Sequence, residues 1–451
     1  MSYQVPQNID PNKTFLVNRS EIEGRLEPEF YRPSIASLEK RIRTLSSHRL
    51  KDYALSIAGG ATPKKTEANK FYSDSESGIP FLRVQNLQIT GELSLDDCVY
   101  INEDTHNGML KRSQVAEGDL LVKITGVGRM AIASVAPKGF VGNTNQHMVV
   151  IKTGDADISK YLARYLNLDI IERIASRHST GGTRPALDYP SLKNIPIIDG
   201  IDFSIIDKAI ILKKQKDIEA QHLIGSIDSY ILKELDIKLP DINKQTLQDR
   251  IFTINFSEVI DGRMDPKSVL FLGESAKSIK HENVQLQQIA KIEKGTSITS
   301  SEVNKDGQYP VIAGGQTSPY NHDRFNYNGD VITVSASGAY SGYVWYHEAP
   351  IFASDCSVIY AKNNQFTTKY IFEVLKVQQS HIYLLQQGAG QPHVYPDDLG
   401  QLWIPVVPLE KQQEIVAHIT EMRQQAKALQ EEGKAILEQA KREVEGMILY
   451  G

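Results

Sequence analysis

Two cysteines, Cys98 and Cys356, are all that the 451 residues provide. That excludes a disulfide framework and a four-cysteine zinc site, and it fits a reducing cytosol. No apolar run approaches the ~20 residues that a membrane span needs. The opening MSYQVPQNIDPNKTF has no signal-peptide shape. The expectation is a cytoplasmic protein with no membrane contact. An excess of positive charge is missing as well: 50 Lys and Arg face 55 Asp and Glu, for a formal net charge of −5. A simple DNA binder is usually basic overall, but the local field matters more than the sum. Residues 49–70 hold Arg49, Lys51, Lys64, Lys65 and Lys70 against Asp52 and Glu67. Residues 160–184 hold Lys160, Arg164, Arg173, Arg177 and Arg184 against Asp169 and Glu172, whereas 86–104 carries only acids.

Catalytic signatures are missing too. There is no Asp/Asn-Pro-Pro-Tyr/Phe methyltransferase motif and no G-x-x-x-x-G-K-[ST] loop for ATP. There is no G-x-S-x-G elbow. The 11 histidines show no H-E-x-x-H spacing, which argues against a catalytic metal. Cys98 and Cys356 read as core or surface thiols rather than nucleophiles. Gly126-Val127-Gly128-Arg129-Met130-Ala131 matches a G-x-G-x-x-A dinucleotide fingerprint. The MAIASVA run behind it reads as strand, so a tight hairpin turn is the better reading. No catalytic residue and no metal ligand is assigned.

What the chain does contain is itself, twice. Gly24-Arg25-Leu26-Glu27-Pro28 returns as Gly262-Arg263-Met264-Asp265-Pro266. EGDLLVKITGVG at 117–128 answers NGDVITVSASGA at 328–339, and Lys160-Tyr161-Leu162 answers Lys369-Tyr370-Ile371. GGTRPALDYPSLKNIPI at 181–197 answers GAGQPHVYPDDLGQLWIPV at 388–406. The shift drops from 238 to 209 between the first and third of these matches, so the first copy carries an insertion before its GDLL segment. A period this long is no solenoid; it means two similar domains with pseudo-twofold symmetry.

Each copy opens on short apolar runs between turn residues, among them GIPFLRVQNLQI, GDLLVKI and MAIASVA, then YPVIAG, GDVITVSA, SGYVWYH and CSVIYAK. These read as strands. A helical stretch follows (SKYLARYLNLDIIERIASR; TKYIFEVLKVQQSHIYLLQ), then a glycine turn, a short strand ending in Ile-Pro, and a long helix. In the second long helix Ile415, Ile419, Met422, Ala426, Leu429, Gly433, Ile436, Ala440 and Met447 recur at spacings near 3.5, marred by Gly433 and Glu443. The first, over about 203–235, keeps Ile206, Ile210, Ile224, Ile227 and Ile231 in a looser stripe. Neither stripe would stay folded if wet, so the two helices are expected to pack on each other antiparallel. Such a rod, about 50 Å long, would separate two heads by more than the ~34 Å of one DNA turn. The predicted fold class is α+β: two similar mixed α/β domains separated by two long antiparallel coiled-coil helices. The boundaries read as 1–201 for the first domain, 202–236 for the first long helix, 237–409 for the second domain and 410–451 for the second helix.

The GIPFLRVQNL start, the GDLLVKITGVG strand and turn, the helical Tyr-Leu segment and the closing IPVVPLEKQQEIVAHI together resemble type I restriction-modification specificity subunits, the HsdS family. The resemblance covers about residues 20–448; the first copy's IPIIDGIDFSIIDKAI lacks the Pro-Leu-Glu-x-Gln cluster. It implies two target recognition domains, each reading half of a bipartite site on double-stranded DNA. It also implies helices that act as a ruler and dock two methyltransferase subunits. S-adenosylmethionine would sit on those subunits, and ATP and Mg on a separate restriction/translocase subunit. No cofactor and no catalysis are expected on this chain.

Base reading calls for Arg and Lys toward guanine and Asn and Gln toward adenine, with amides and cations for phosphates. Candidates in the first copy are Arg83, Gln85, Asn86, Lys123, Arg129, Asn145, Gln146, Arg177, Thr183 and Arg184. Those in the second are Gln316, Tyr320, Ser335, Ser337, Tyr340, Gln387, Gln391 and His393. They cluster in loops 123–131, 180–186, 312–324, 335–343 and 386–394. Two other readings stay open at this stage: a scaffold joining two protein-binding domains without DNA, and a duplicated nucleotide-binding transferase using the 126–131 loop.

Overall fold

The structure is a computed structural model. It describes residues 12–22, 24–239, 279–280, 282–299, 301–388 and 390–451, with isolated positions at 10, 253, 265 and 272. The chain forms two units, Met1–Lys216 with Glu431–Gly451, and Asp217–Gln430.

In the first unit α1 (Pro33–Leu45) precedes β1 (His48–Arg49), β2 (Ser56–Gly59), α2 (Ala68–Phe71), β3 (Tyr72–Ser73), β4 (Ile79–Leu82), β5 (Val99–Ile101), α3 (Glu103–Asn107) and β6 (Gln114–Ala116). Then come β7 (Leu120–Lys123), β8 (Ala133–Val135), β9 (Val141–Thr144), β10 (Met148–Lys152), α4 (Ala156–Leu166), α5 (Asp169–His178), α6 (Tyr189–Lys193), β11 (Pro196–Ile197) and the long α7 (Ser204–Glu234). The second unit runs β12 (Asn283–Gln285), α8 (Leu286–Ile289), β13 (Ala290–Lys294), β14 (Tyr309–Ile312), β15 (Asn321–His322), β16 (Val331–Ser335), β17 (Val344–His347), β18 (Phe352–Ala353) and β19 (Cys356–Ala361). It continues with α9 (Thr368–Val377), α10 (Gln379–Ile382), α11 (Pro396–Gly400), β20 (Trp403–Pro405) and α12 (Leu409–Tyr450).

The sheets repeat. The first unit has a four-stranded antiparallel sheet in the order β2-β10-β7-β8, and the second has β13-β19-β16-β17. A second sheet in each is held by one parallel pair, β4 with β9 and β14 with β18. It has five strands in the first unit (β3-β5-β4-β9-β6) and three in the second (β15-β14-β18). The extra residues of the first copy therefore widen this sheet, through β3 and through α3 and β6. A two-stranded ladder, β1-β11 and β12-β20, closes each domain at the foot of its long helix.

The strands form where Val, Ile and Leu run between turns: LLVK and MVVIK are nearly all buried, as are VITVS and CSVI. The 117–136 region is a β-hairpin, with Leu120 opposite Val135 and Val122 opposite Ala133. No helix follows Gly128, so the dinucleotide reading has no structural basis. Each predicted helical stretch is broken: α4 gives way to α5 at Asn167-Leu168, and α9 to α10 at Gln378. Asp155 caps α4 by accepting from the amides of Asp157 and Ile158.

Within each unit the long helices lie side by side, antiparallel. In the first, Ile206, Ala209 and Ile210 share a core with Leu437, Ala440 and Val444. In the second, Ile227 and Ile231 share one with Ile415, Ile419 and Met422. Gly433, which read as a defect, is buried against Lys213; a Cβ there would stand 3.2 Å from the Lys213 side chain, so glycine permits the close approach. Ile224 and Met447 depart from the predicted stripe. They are 47% and 54% exposed, while Leu429 and Ile436 are half-buried. The ideal 3.6-residue turn drifts away from a 3.5 repeat unless the pair supercoils, so the seam moves to Leu437 and Val444. Of the Gly262–Pro266 repeat, Gly262, Arg263, Met264 and Pro266 lie outside the described residues.

Candidate nucleic-acid interface

At one end of each four-stranded sheet, two loops are tied together by the same set of backbone hydrogen bonds. In the first unit the Gly126 amide donates to Pro185 O at 3.0 Å, and Leu187 donates to Ile124 O at 2.8 Å. In the second, Gly338 donates to Pro392 O at 3.0 Å and Val394 to Ala336 O at 3.0 Å. The second loop of each pair closes on itself: Thr180 and Ala186 exchange two hydrogen bonds at 2.8 Å, and so do Gln387 and His393. Gly181 and Gly388 turn that loop with φ of +99° and +95°, a region where a Cβ is penalised. The result is a hairpin loop and a helix-connecting loop presented together in each unit.

A third strand end supplies the floor. His147 O accepts from the Ile124 amide at 2.9 Å, and Asp355 O accepts from Ala336 at 3.2 Å. Gly60 and Gly295 pass so near this floor that a Cβ would collide with the Thr144 and Ser354 carbonyls, respectively. The two floors differ in chemistry. In the first unit burial, and then the Arg184 guanidinium, hold the His147 imidazole below its ordinary range. In the second, the exposed Asp355 carboxylate accepts from the Ser337 hydroxyl.

Residues 279–439 match the family model described as the type I restriction modification DNA specificity domain. In this stretch the chain is similar to type I restriction-modification specificity subunits. A relative in Mycoplasma pneumoniae named as a type I specificity subunit, S.MpnORF615P, is 26% identical over 204 residues, covering 41% of this chain and 80% of that one. The type I restriction enzyme MpnII specificity subunit of the same organism is 28% identical over 143 residues, 31% of this chain and 42% of that one. The S subunit of a type I restriction-modification system from M. genitalium aligns over 88% of this chain and 95% of its own, at 14% identity and a TM-score of 0.42. That alignment is loose.

Six of the candidate residues have their polar groups engaged in the fold. Asn86 is fully buried; it accepts from the Arg83 amide at 2.8 Å and donates to Ser94 O at 2.9 Å. Lys123, 3% exposed, donates to Val127 O at 2.8 Å and holds the hairpin loop; burial pulls its pKa down. Arg129 is spent on Asp169 and on Asn167 O at 2.6 Å. Asn145 caps its own turn by accepting from the His147 amide at 3.0 Å. Arg177 donates to Phe30 O at 2.6 Å, pairs with Glu39 and lies over the Phe30 ring. Ser335 is buried under the 313–315 loop.

Others are tethered. Arg83 donates to Asp97 O at 2.8 Å, Gln387 to Asp398 at 2.8 Å, and Gln316 reaches the Tyr383 phenol. His393 stacks on Tyr395 with 6.1 Å between ring centres, and Gln146 bonds Thr62. Gln85, Thr183, Arg184, Tyr320, Tyr340 and Gln391 stay exposed. Among the described residues, neither the Arg184 nor the Gln391 side chain is engaged in a hydrogen bond or ion pair. Sequence reasoning missed Val127, 77% exposed at the hairpin tip; an apolar residue flanked by two glycines was the available signal. His147 and Asp355, on the floor, carried no sequence signal.

No described helix is long and apolar enough to cross a membrane. Among the described residues no group of three or more His, Cys, Asp or Glu is placed to hold a metal. Burial pushes the Cys356 thiol up to about 12, well away from a reactive thiolate.

Proposed function

We propose that the chain is a type I specificity subunit, that each of its units reads one half of a bipartite site on double-stranded DNA through its tied pair of loops, and that it performs no catalysis. The observation that carries the reading is the identical backbone tie, Gly126 to Pro185 and Gly338 to Pro392, presenting two different sets of exposed side chains. One scaffold with two sets of side chains is what two readers of unlike half-sites require. Methylation by S-adenosylmethionine, and ATP- and Mg-dependent translocation and cleavage, would belong to methyltransferase and restriction/translocase partners.

The long helices are assigned the spacer and docking roles. In the first unit α7 leaves Ile211 and Leu212 exposed, and in the second it leaves Ile218 and Ile224 exposed, apolar surface that a partner subunit would cover. The assembled chain and methyltransferase partner, titrated with labelled duplexes, should select one split sequence and lose affinity steeply as salt rises. Binding that ignores sequence would contradict the reading.

A further inference from the structure

The tie between the loops puts the two units in a residue-for-residue register that sequence alignment alone leaves ambiguous. Thr180 and Ala186 correspond to Gln387 and His393, because each pair exchanges two hydrogen bonds around a five-residue loop. Within that loop Gly181 corresponds to Gly388, and Pro185 to Pro392. A Cβ on Gly181 would stand 3.1 Å from Arg184 O, and one on Gly388 would stand 2.9 Å from Gln391 O. Arg184 and Gln391 therefore hold the same place, one residue before the anchoring proline.

We infer that Arg184 and Gln391 are equivalent specificity-determining residues, and that unit 1 selects a guanine at the position where unit 2 selects an adenine. The inference rests on the DNA-reading function proposed above. Three observations carry it. Both side chains are exposed. Neither is spent on the fold, whereas Arg129, Arg177 and Gln387 in or beside the same loops are. The two residue types are those whose paired donors and acceptors match different bases: a guanidinium donates twice to guanine O6 and N7, and a carboxamide donates to N7 and accepts from N6 of adenine. The neighbours of Arg184 and Gln391 in the loop, Thr183 and Gly390, are small enough to leave each side chain room to reach a base edge.

The test uses the full chain assembled with its methyltransferase partner and a duplex library randomised across both half-sites. The wild-type complex should select a guanine in one half-site and an adenine in the other. Arg184→Gln should turn that guanine preference toward adenine in the first half-site alone, by tenfold or more in relative selection, and Gln391→Arg should do the reverse in the second alone. Arg184→Lys, which keeps the charge but not the fork, should weaken the guanine preference and leave the salt dependence unchanged. If Arg184→Gln lowers affinity equally for all four bases and flattens the salt dependence by about one charge, Arg184 is a phosphate contact and the inference is overturned. A wild-type complex that selects no sequence would overturn the DNA-reading function itself, a separate and earlier failure.

Discussion

Gly126 donates its amide to the carbonyl of Pro185 at 3.0 Å across two loops that are 59 positions apart in the chain. The φ of Gly126 is +122°, and that of its counterpart Gly338 is +86°. Both values are hostile to a side chain, and a β-branched one most of all. Gly126→Val and Gly338→Val should each distort one hairpin loop and loosen its tie. The expected outcome is a tenfold or greater loss of affinity through one half-site, with circular dichroism unchanged. Unaltered binding by both variants would remove these loops from the interface.

Glu39 on α1 is buried among Arg43, Arg177 and His178. These partners outweigh the cost of burial and hold its carboxyl down at about 2. A depressed carboxylate stabilises the fold above its unfolded pKa, near 4.5, and that stabilisation is lost as pH falls through the folded value. Glu39→Gln should strip Arg177 of its counter-charge and destabilise the first unit by about 3–5 kcal/mol, read in thermal melts followed by circular dichroism.

His347 gives the second unit a different acid response. Burial pulls its imidazole down to about 4, and the ring bonds the Thr333 hydroxyl at 2.8 Å. The unfolded chain binds the proton more readily than the folded one, so this contribution is complete above about 6.5 and falls away as the pH drops toward 4. The slope is about 1.4 kcal/mol per pH unit for one proton. Both tryptophans, Trp345 and Trp403, lie in the second unit, so their fluorescence in urea titrations reports it alone. The wild type should weaken between pH 6.5 and 4, and His347→Phe should flatten that dependence.

Much of this architecture was legible in the repeat. The runs LLVK, MAIASVA, VITVS and CSVIYA are strands or contain them, and the Gly126–Ala131 run is a hairpin turn, because buried β-branched residues between turn formers have few alternatives. Register was harder. Sequence matching set Tyr161 beside Tyr370, yet it is Tyr165, one helical turn on, whose phenol donates to Pro196 O at 2.9 Å as Tyr370 donates to Pro405 O at 3.0 Å. Lateral spacing in a helix repeats closely after four residues, so two tyrosines one turn apart are equivalent in pattern and distinct in space.

The two tied loops of each unit were also legible as loops, since glycines and turn residues mark them. The side chains they leave free were not. Asn86, Lys123, Arg129 and Asn145 have the right chemistry for bases but satisfy carbonyls, amides and a carboxylate of the fold instead. A sequence shows that a side chain can donate; only the surrounding backbone shows where the donor is spent.

The most direct test of two separate readers replaces residues 48–197, from β1 to β11, with the corresponding segment of a type I specificity subunit, followed by genome-wide mapping of methylated adenine. The account predicts a methylated motif in which one half changes and the other half is retained. A motif altered in both halves, or left the same in both, would contradict it.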